Sequence, residues 1–286
     1  IGVSIDFERL RLLESPYGYP RLEPGPRHLD RLSNHSVSLK LVDFNRKTSR
    51  TAFAFEDVVR KLPRTVAPDR YHFWINHPKF NRSGTKILFV LRSCSREGRQ
   101  AGRYMADLFV LDLQQNMIQC VLDYERWSAG LRPLWHGGHH PVWFDDEHIL
   151  MNRRVGGEMR YVIFGEVSQG YRIINPSSRA TGHPSVDAAK RFLLTDSYPG
   201  GSGYQQLKVM SIETGQEVLL GEFYSPEEFK NAWSCDLHPR WKHSELEICF
   251  DSAHRGKRRM YVAKLSREIL DDLGLRAVAS TYGSSG

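Results

Sequence analysis

Cysteine is scarce in this chain: there are four among 286 residues, Cys94, Cys120, Cys235 and Cys249. That is too few for a disulfide framework at this length. No run of about 18 apolar residues occurs, which argues against a transmembrane helix. The chain opens with IGVSIDFERL, lacking an initiator Met and the basic-then-apolar order of a signal peptide. This start fixes no compartment, and cytoplasmic, periplasmic and secreted locations all stay open. Helical periodicity is sparse, with SREILDDLG and FEDVVRKL the short candidates. Neither Gly-x-Ser-x-Gly nor His-Glu-x-x-His is present, so a nucleophile elbow and a zincin helix are set aside. The glycine-rich GGSGYQQ lies between two strand-like stretches, so no helix N-terminus follows it to receive phosphate.

What is present is ordinary in bulk: 40% hydrophobic and 26% charged residues, the composition of a globular protein. The length suits one repeat-built domain or two ordinary ones. A formal charge of +7 favours polyanionic partners, whether nucleic acid, acidic polysaccharide or an anionic surface. The basic residues are dispersed in groups such as NRR and GKRR, and no basic helix or RNA-binding signature accompanies them. Aromatic stretches (YHFWINHP, PLWHGGHHPVW) suit sugar rings as readily as bases. Acidic saccharide therefore ranks above nucleic acid.

A repeat dominates the chain. Four times the sequence writes His-Pro, two residues, a polar turn and an apolar strand: HPKFNRSGTKILFVLRS, HPVWFDDEHILMNRR, HPSVDAAKRFLLTDSY and HPRWKHSELEICFDS. Each copy is followed by another β-rich piece (DLFVLDL, RYVIFGEV, QQLKVMSIETG, RMYVAKL), and most by a final strand such as MIQCVLDY or EVLLGEF. Four short strands recurring at roughly 40- to 60-residue intervals predict an all-β fold, a β-propeller of four-stranded blades. About five blades are expected in one domain over 1–286. Residues 1–70, with VSIDFERLRLL and VSLKLVDFNRKTSRTAF read as strands, form an irregular first blade. Residues 71–270 form the four His-Pro blades and 271–286 a C-terminal strand or tail.

In the last copy the turn centres on Ser244 and Glu245, so symmetric pairing sets His238 opposite Asp251 and Cys235 opposite His254. All four His-Pro histidines then open innermost strands at one mouth of the propeller channel, where ligands commonly bind. His183, Cys235, His238 and His254 form a candidate metal set. Thiolate and imidazole in fours suit zinc first, with manganese or calcium as alternative divalent ions. Asp196 and Asp251 are substitute or supporting ligands. The competing reading is architectural: each His-Pro opens a strand, and Cys235 is a small buried hydrophobe. His77 and His140 lack a partner cysteine and are candidates for acid–base work. Arg179, and Arg153 and Arg154 beside Tyr161, suit a carboxylate held next to a proton-transfer group. Tyr161 has a counterpart in Tyr261, which equally suits packing between blades.

These copies, above all CDLHPRWKHSELEICFDSAHRGKRRMYVAKL, resemble the repeats of oligogalacturonate lyases and propeller-type ulvan lyases, within the broader TolB-like propellers. The likeness spans about residues 70 to 268. It implies β-elimination at a uronic acid, with an arginine or metal neutralising the carboxylate. In oligogalacturonate lyases histidines hold a divalent metal. His183 and His238 match those positions, while Trp233 and Asp236 stand near where the further Gln and His ligands would fall. The ulvan-lyase pattern implies His77, Tyr161 and Arg179 as catalytic residues and a stabilising zinc at the Cys235 cluster. Where that family places a second catalytic histidine this chain has Arg92, counted with Arg153 and Arg154 as substrate-binding. Those families build seven blades and this chain has material for about five, as a trimmed or a divergent member would. Two functions are therefore expected to compete: a polysaccharide lyase acting on uronic-acid poly- or oligosaccharide, and a non-catalytic scaffold or glycan-binding propeller.

Overall fold

Each apolar run of the repeat becomes a strand of an antiparallel meander in the computed structural model. It describes residues 1–14, 32–97, 104–128, 138–166, 170–175, 177–179, 181–230, 233–242, 246–266, 268–269 and 273. The centre of the KHSELE turn, much of SREILDDLG, the start of PLWHGGHHPVW and, apart from Leu273, the 271–286 tail lie outside the described residues.

The chain is all-β, with five antiparallel sheets that are the blades of a β-propeller. The first holds β1 (Gly2–Ser4), β2 (Lys40–Asp43) and β3 (Thr48–Thr51). The second holds β4 (Tyr71–Phe80), β5 (Lys86–Ser95), β6 (Met105–Asp112) and β7 (Met117–Leu122). The third holds β8 (Gly138–Trp143), β9 (His148–Val155), β10 (Glu158–Gly165) and β11 (Arg172–Ile173). The fourth holds β12 (Ser185–Val186), β13 (Phe192–Asp196), β14 (Tyr204–Ser211) and β15 (Glu217–Tyr224). The fifth holds β16 (Arg240–Trp241), β17 (Glu247–Ser252) and β18 (Arg259–Lys264). Residues 1–173, with the first three sheets, form one compact unit, and residues 174–286, with the last two, form another.

Burial follows strand position. β5 and β6 are apolar on both faces, as strands covered on both sides must be. β15, at the sheet edge, alternates half-buried and exposed residues. In the first unit, Phe73, Phe89 and Phe109 join Leu39 and Val58 in one core, and Leu108 and Val110 join Ile149 and Val162 in a second. In the second unit Phe192, Val209, Leu237 and Phe250 close the space between the fourth and fifth sheets. FEDVVRKL supplies helix Phe55–Val59, as its period predicts. The stretch FERLRLL, expected as strand, is instead a helix over Phe7–Leu13. Asp6 caps it by accepting from Arg9 N–H at 2.8 Å, and Leu10 and Leu13 pack against Trp74.

The His-Pro step has a backbone cause. His77, His140 and His238 have φ of 53°, 55° and 41°, a left-handed region that non-glycine residues seldom enter and where His is over-represented. The left-handed residue shifts the strand register by one. Asn76 pairs with Val90 but Lys79 with Leu88, and His139 with Asn152 but Val142 with Leu150. In the fifth sheet Arg240 pairs with Cys249, the predicted register, whereas Asp251 N–H reaches Leu237 O at 2.7 Å. The bulge therefore moves the partner of Asp251 from His238 to Leu237. His183 is not among the left-handed residues. The tryptophan three places after His recurs as a tie between neighbouring sheets. Trp143 Nε1 donates to Lys79 O at 2.9 Å, and Trp241 Nε1 to Ser185 O at 3.1 Å.

Candidate functional site

Alternation along residues 235 to 238 decides which side chains meet. Cys235 and Leu237 are buried, whereas Asp236 is half-buried and His238 exposed. A spacing of two puts Asp236 and His238 on one face; a spacing of three turns Cys235 toward the core with Leu237. His183, at the entrance to β12, completes the group. Its ring centroid lies 3.8 Å from that of His238, and donor atoms of His183, Asp236 and His238 all lie within 4.8 Å of one another. Among the described residues this is the cluster whose spacing could hold a metal ion. Two imidazoles and a carboxylate are a donor set suited to zinc or another divalent first-row ion.

A buried carboxylate holds the arrangement in place. Asp196, at the end of β13, accepts from His183 N–H at 2.5 Å and from His238 N–H at 3.0 Å. One carboxylate thus fixes both strand entrances, and its oxygens also lie 3.0 and 3.1 Å from His183 Nδ1. That bond orients the ring and leaves Nε2 for a ligand, the usual support of a metal-binding histidine. Gly182 is required by this contact: a Cβ there would sit 1.9 Å from Asp196 O and 2.1 Å from Oδ1. Asn152 repeats the device in the third sheet, its Oδ1 accepting from His139 N–H at 2.6 Å.

The charges are tuned against one another. Burial raises the Asp236 carboxyl above its ordinary pKa, although His183 and His238 pull the other way. Gln205, almost fully buried, donates to Asp236 Oδ1 at 3.4 Å. Lost hydration first, and then His183, hold His238 below the usual imidazole pKa, which favours the neutral form that ligates a metal.

Of the predicted metal residues, the structure brings His183 and His238 together but not Cys235 or His254. Burial raises the Cys235 thiol above its ordinary pKa, favouring the uncharged form. His254 packs against Tyr261 at 4.8 Å and Phe223 at 5.3 Å, with Nδ1 2.9 Å from Ser252 Oγ. Asp251 pairs with Arg240 at 3.0 Å. Asp236 had been noted beside a ligand position of the resembled family; its face on the strand was the signal that could have selected it. Tyr198, which sequence reasoning missed, is exposed with its ring 5.6 Å from that of His183.

Arg179 belongs to the same unit and is exposed, four residues before His183. The remaining predicted residues belong to the first unit. Tyr161 is buried on β10 opposite Asn152. Arg92 is ion-paired to Glu14, which also accepts from Trp74 Nε1 and Asn76 Nδ2, and its guanidinium lies 4.5 Å from the Tyr104 ring centre. Arg153 donates to Arg126 O at 2.7 Å and lies over Tyr171, while Arg154 donates to Gly157 O. His77 and His140 are half-buried at their left-handed turns.

No family model and no curated protein sequence matches the chain. Among solved structures it is similar to an oligogalacturonate lyase from Vibrio parahaemolyticus: 9% identity, 83% of this chain and 74% of that chain covered, TM-score 0.47. It is similar also to a putative TolB from Agrobacterium tumefaciens (11% identity, 79% of this chain, TM-score 0.46) and to TolB from Acinetobacter baumannii (10%, 80%, 0.44). The chain spans 65% and 57% of those two TolB chains. At such identities the likeness is one of fold alone.

Proposed function

We propose that the chain holds one divalent cation on His183, Asp236 and His238 and acts there as a lyase on uronic-acid saccharide. The observation that carries this reading is the three-residue donor set, with both strand entrances clamped by Asp196. The cation, when bound, would neutralise the carboxylate of the uronic acid and so acidify the proton at C5. A base takes that proton, the electron pair forms the C4–C5 double bond, and the C4–O4 bond breaks with its pair on O4. O4 then gains a proton, giving an unsaturated uronide and a shortened chain. Arg179 is proposed as a further partner for the carboxylate, being exposed and close in sequence to His183. The other sequence candidates, His77, His140, Tyr161, Arg92, Arg153 and Arg154, belong to the first unit and carry no part of this reading. Zinc is the first choice of ion and acidic poly- or oligosaccharide the proposed partner.

One observation favours the second reading, a glycan-binding propeller without catalysis. Three of the four repeated histidines occupy left-handed backbone, which explains their recurrence without any chemistry. Incubation with a panel of uronides, with and without zinc or manganese, separates the two through the ultraviolet absorbance of the unsaturated product. Metal-dependent absorbance supports the lyase; its absence with every uronide, under conditions where saccharide binds, leaves the binding module.

A further inference from the structure

Tyr198 lies beside the His183–Asp236–His238 group, Trp233 precedes Asp236 closely in sequence, and the reading above uses neither. Tyr198 is 42% exposed, and its ring stands at 68° to that of His183. It follows Asp196 by two residues, so the clamp on the strand entrances also anchors the backbone that carries it. The intervening Ser197 is tied to β14: its N–H donates to Gln206 O at 2.9 Å, and its Oγ accepts from Gln206 N–H at 2.9 Å. Trp233 is 69% exposed and precedes Asp236 by three residues. Three residues reach about 11 Å at most, so its Cα lies within that distance of the Asp236 Cα. Its backbone is pinned as well, because Arg258 Nη2 donates to Trp233 O at 2.7 Å and to Ser234 O at 2.8 Å.

An exposed aromatic ring on a fixed backbone keeps apolar surface in water while losing little further freedom when a ligand covers it. The C–H face of a pyranose ring fits such a surface, and its hydroxyls and carboxylate stay available to polar groups. The turn between β17 and β18 carries Arg255 and Lys257, and β18 opens with Arg259, all exposed, beside the Arg258 that pins Trp233. The segment that leads into Asp236 and His238 thus joins an exposed aromatic residue to a positively charged turn.

We propose that Tyr198 and Trp233 are stacking platforms for sugar rings flanking the bound uronate, and that with Arg255 and Lys257 they select an acidic oligosaccharide over a single uronic acid. This rests on the functional reading above. The full chain, with and without zinc, would be titrated calorimetrically with uronide trisaccharides, including trigalacturonate, and with the matching monosaccharides. A trisaccharide should bind at least about tenfold more tightly than its monosaccharide. Tyr198→Ala and Trp233→Ala should each weaken the trisaccharide about two- to twelvefold, with zinc stoichiometry and monosaccharide affinity unchanged. Tyr198→Phe and Trp233→Phe, which keep a ring, should stay within twofold of wild type. Alanine variants that bind the trisaccharide as wild type does would overturn the platforms, as would phenylalanine variants that fail as badly as alanine. If wild type cleaves uronide and the alanine variants bind normally, the platforms fall and the lyase reading stands. If zinc binds but no uronide does, both fall.

Discussion

Replacing Asp196 by alanine tests the clamp at the heart of the site. The carboxylate is almost fully buried and accepts from the main chain at His183 and at His238, besides facing His183 Nδ1. Alanine removes all of these acceptors at once. A buried donor left unsatisfied costs about 1–3 kcal/mol, and two backbone donors lose their partner here, so a loss of about 3 kcal/mol is expected. For a chain of this size that lowers Tm by about 5 °C. Asparagine keeps one acceptor oxygen but turns an NH2 toward the other donor, so Asp196→Asn should fall between alanine and wild type. Asp251→Ala is the control, since that carboxylate is a third exposed and pairs with Arg240, an interaction worth about 0–1 kcal/mol. Circular dichroism melts in metal-free buffer give the comparison. If Asp196→Ala melts no lower than Asp251→Ala, the carboxylate is not what holds the two entrances and the reasoning fails.

Three further outcomes follow from the same geometry. Gly182→Ala should destabilise by about 1–3 kcal/mol and lower zinc uptake with it, since its Cβ would collide with Asp196; normal melting and zinc binding would contradict the close approach. His77→Asn should keep wild-type stability, whereas His77→Val, β-branched at φ 53°, should lose about 1–2 kcal/mol; equal losses in urea denaturation would show that the left-handed turn is not why histidine recurs. Burial lowers the Lys79 pKa to about 8, and its Nζ donates to Pro141 O at 3.1 Å. Between about pH 8 and 10.5 the unfolded chain then holds more protons at this residue, so stability should rise with pH across that window, and Lys79→Met should flatten the rise. An unchanged slope in the variant would count against a lysine penalised by burial.

Much of the fold was legible because blades repeat. The alternating and continuous apolar runs placed the strands of all four His-Pro sheets, and the centre of KHSELE set the Arg240–Cys249 pairing correctly. Two failures have local causes. FERLRLL has the i, i+3 leucines and the Asp6 cap of a helix, but its flanks look like strands and seven residues carry a weak period. The left-handed turn at His238 inserts one residue, so symmetric extension of the hairpin beyond Arg240 placed His238 opposite Asp251 and Cys235 opposite His254. Simple period-2 reasoning would have put Asp236, not Cys235, beside His238. Tyr198 could not be read from sequence, because its approach to His183 depends on where the chain turns after β13.

The most direct test of the donor group is zinc titration followed calorimetrically on wild type and single variants. The account predicts one site per chain, abolished or weakened at least about tenfold by His183→Ala, Asp236→Asn and His238→Ala, and retained in Cys235→Ser and His254→Ala. Loss of zinc in Cys235→Ser or His254→Ala, with wild-type binding in Asp236→Asn, would contradict it.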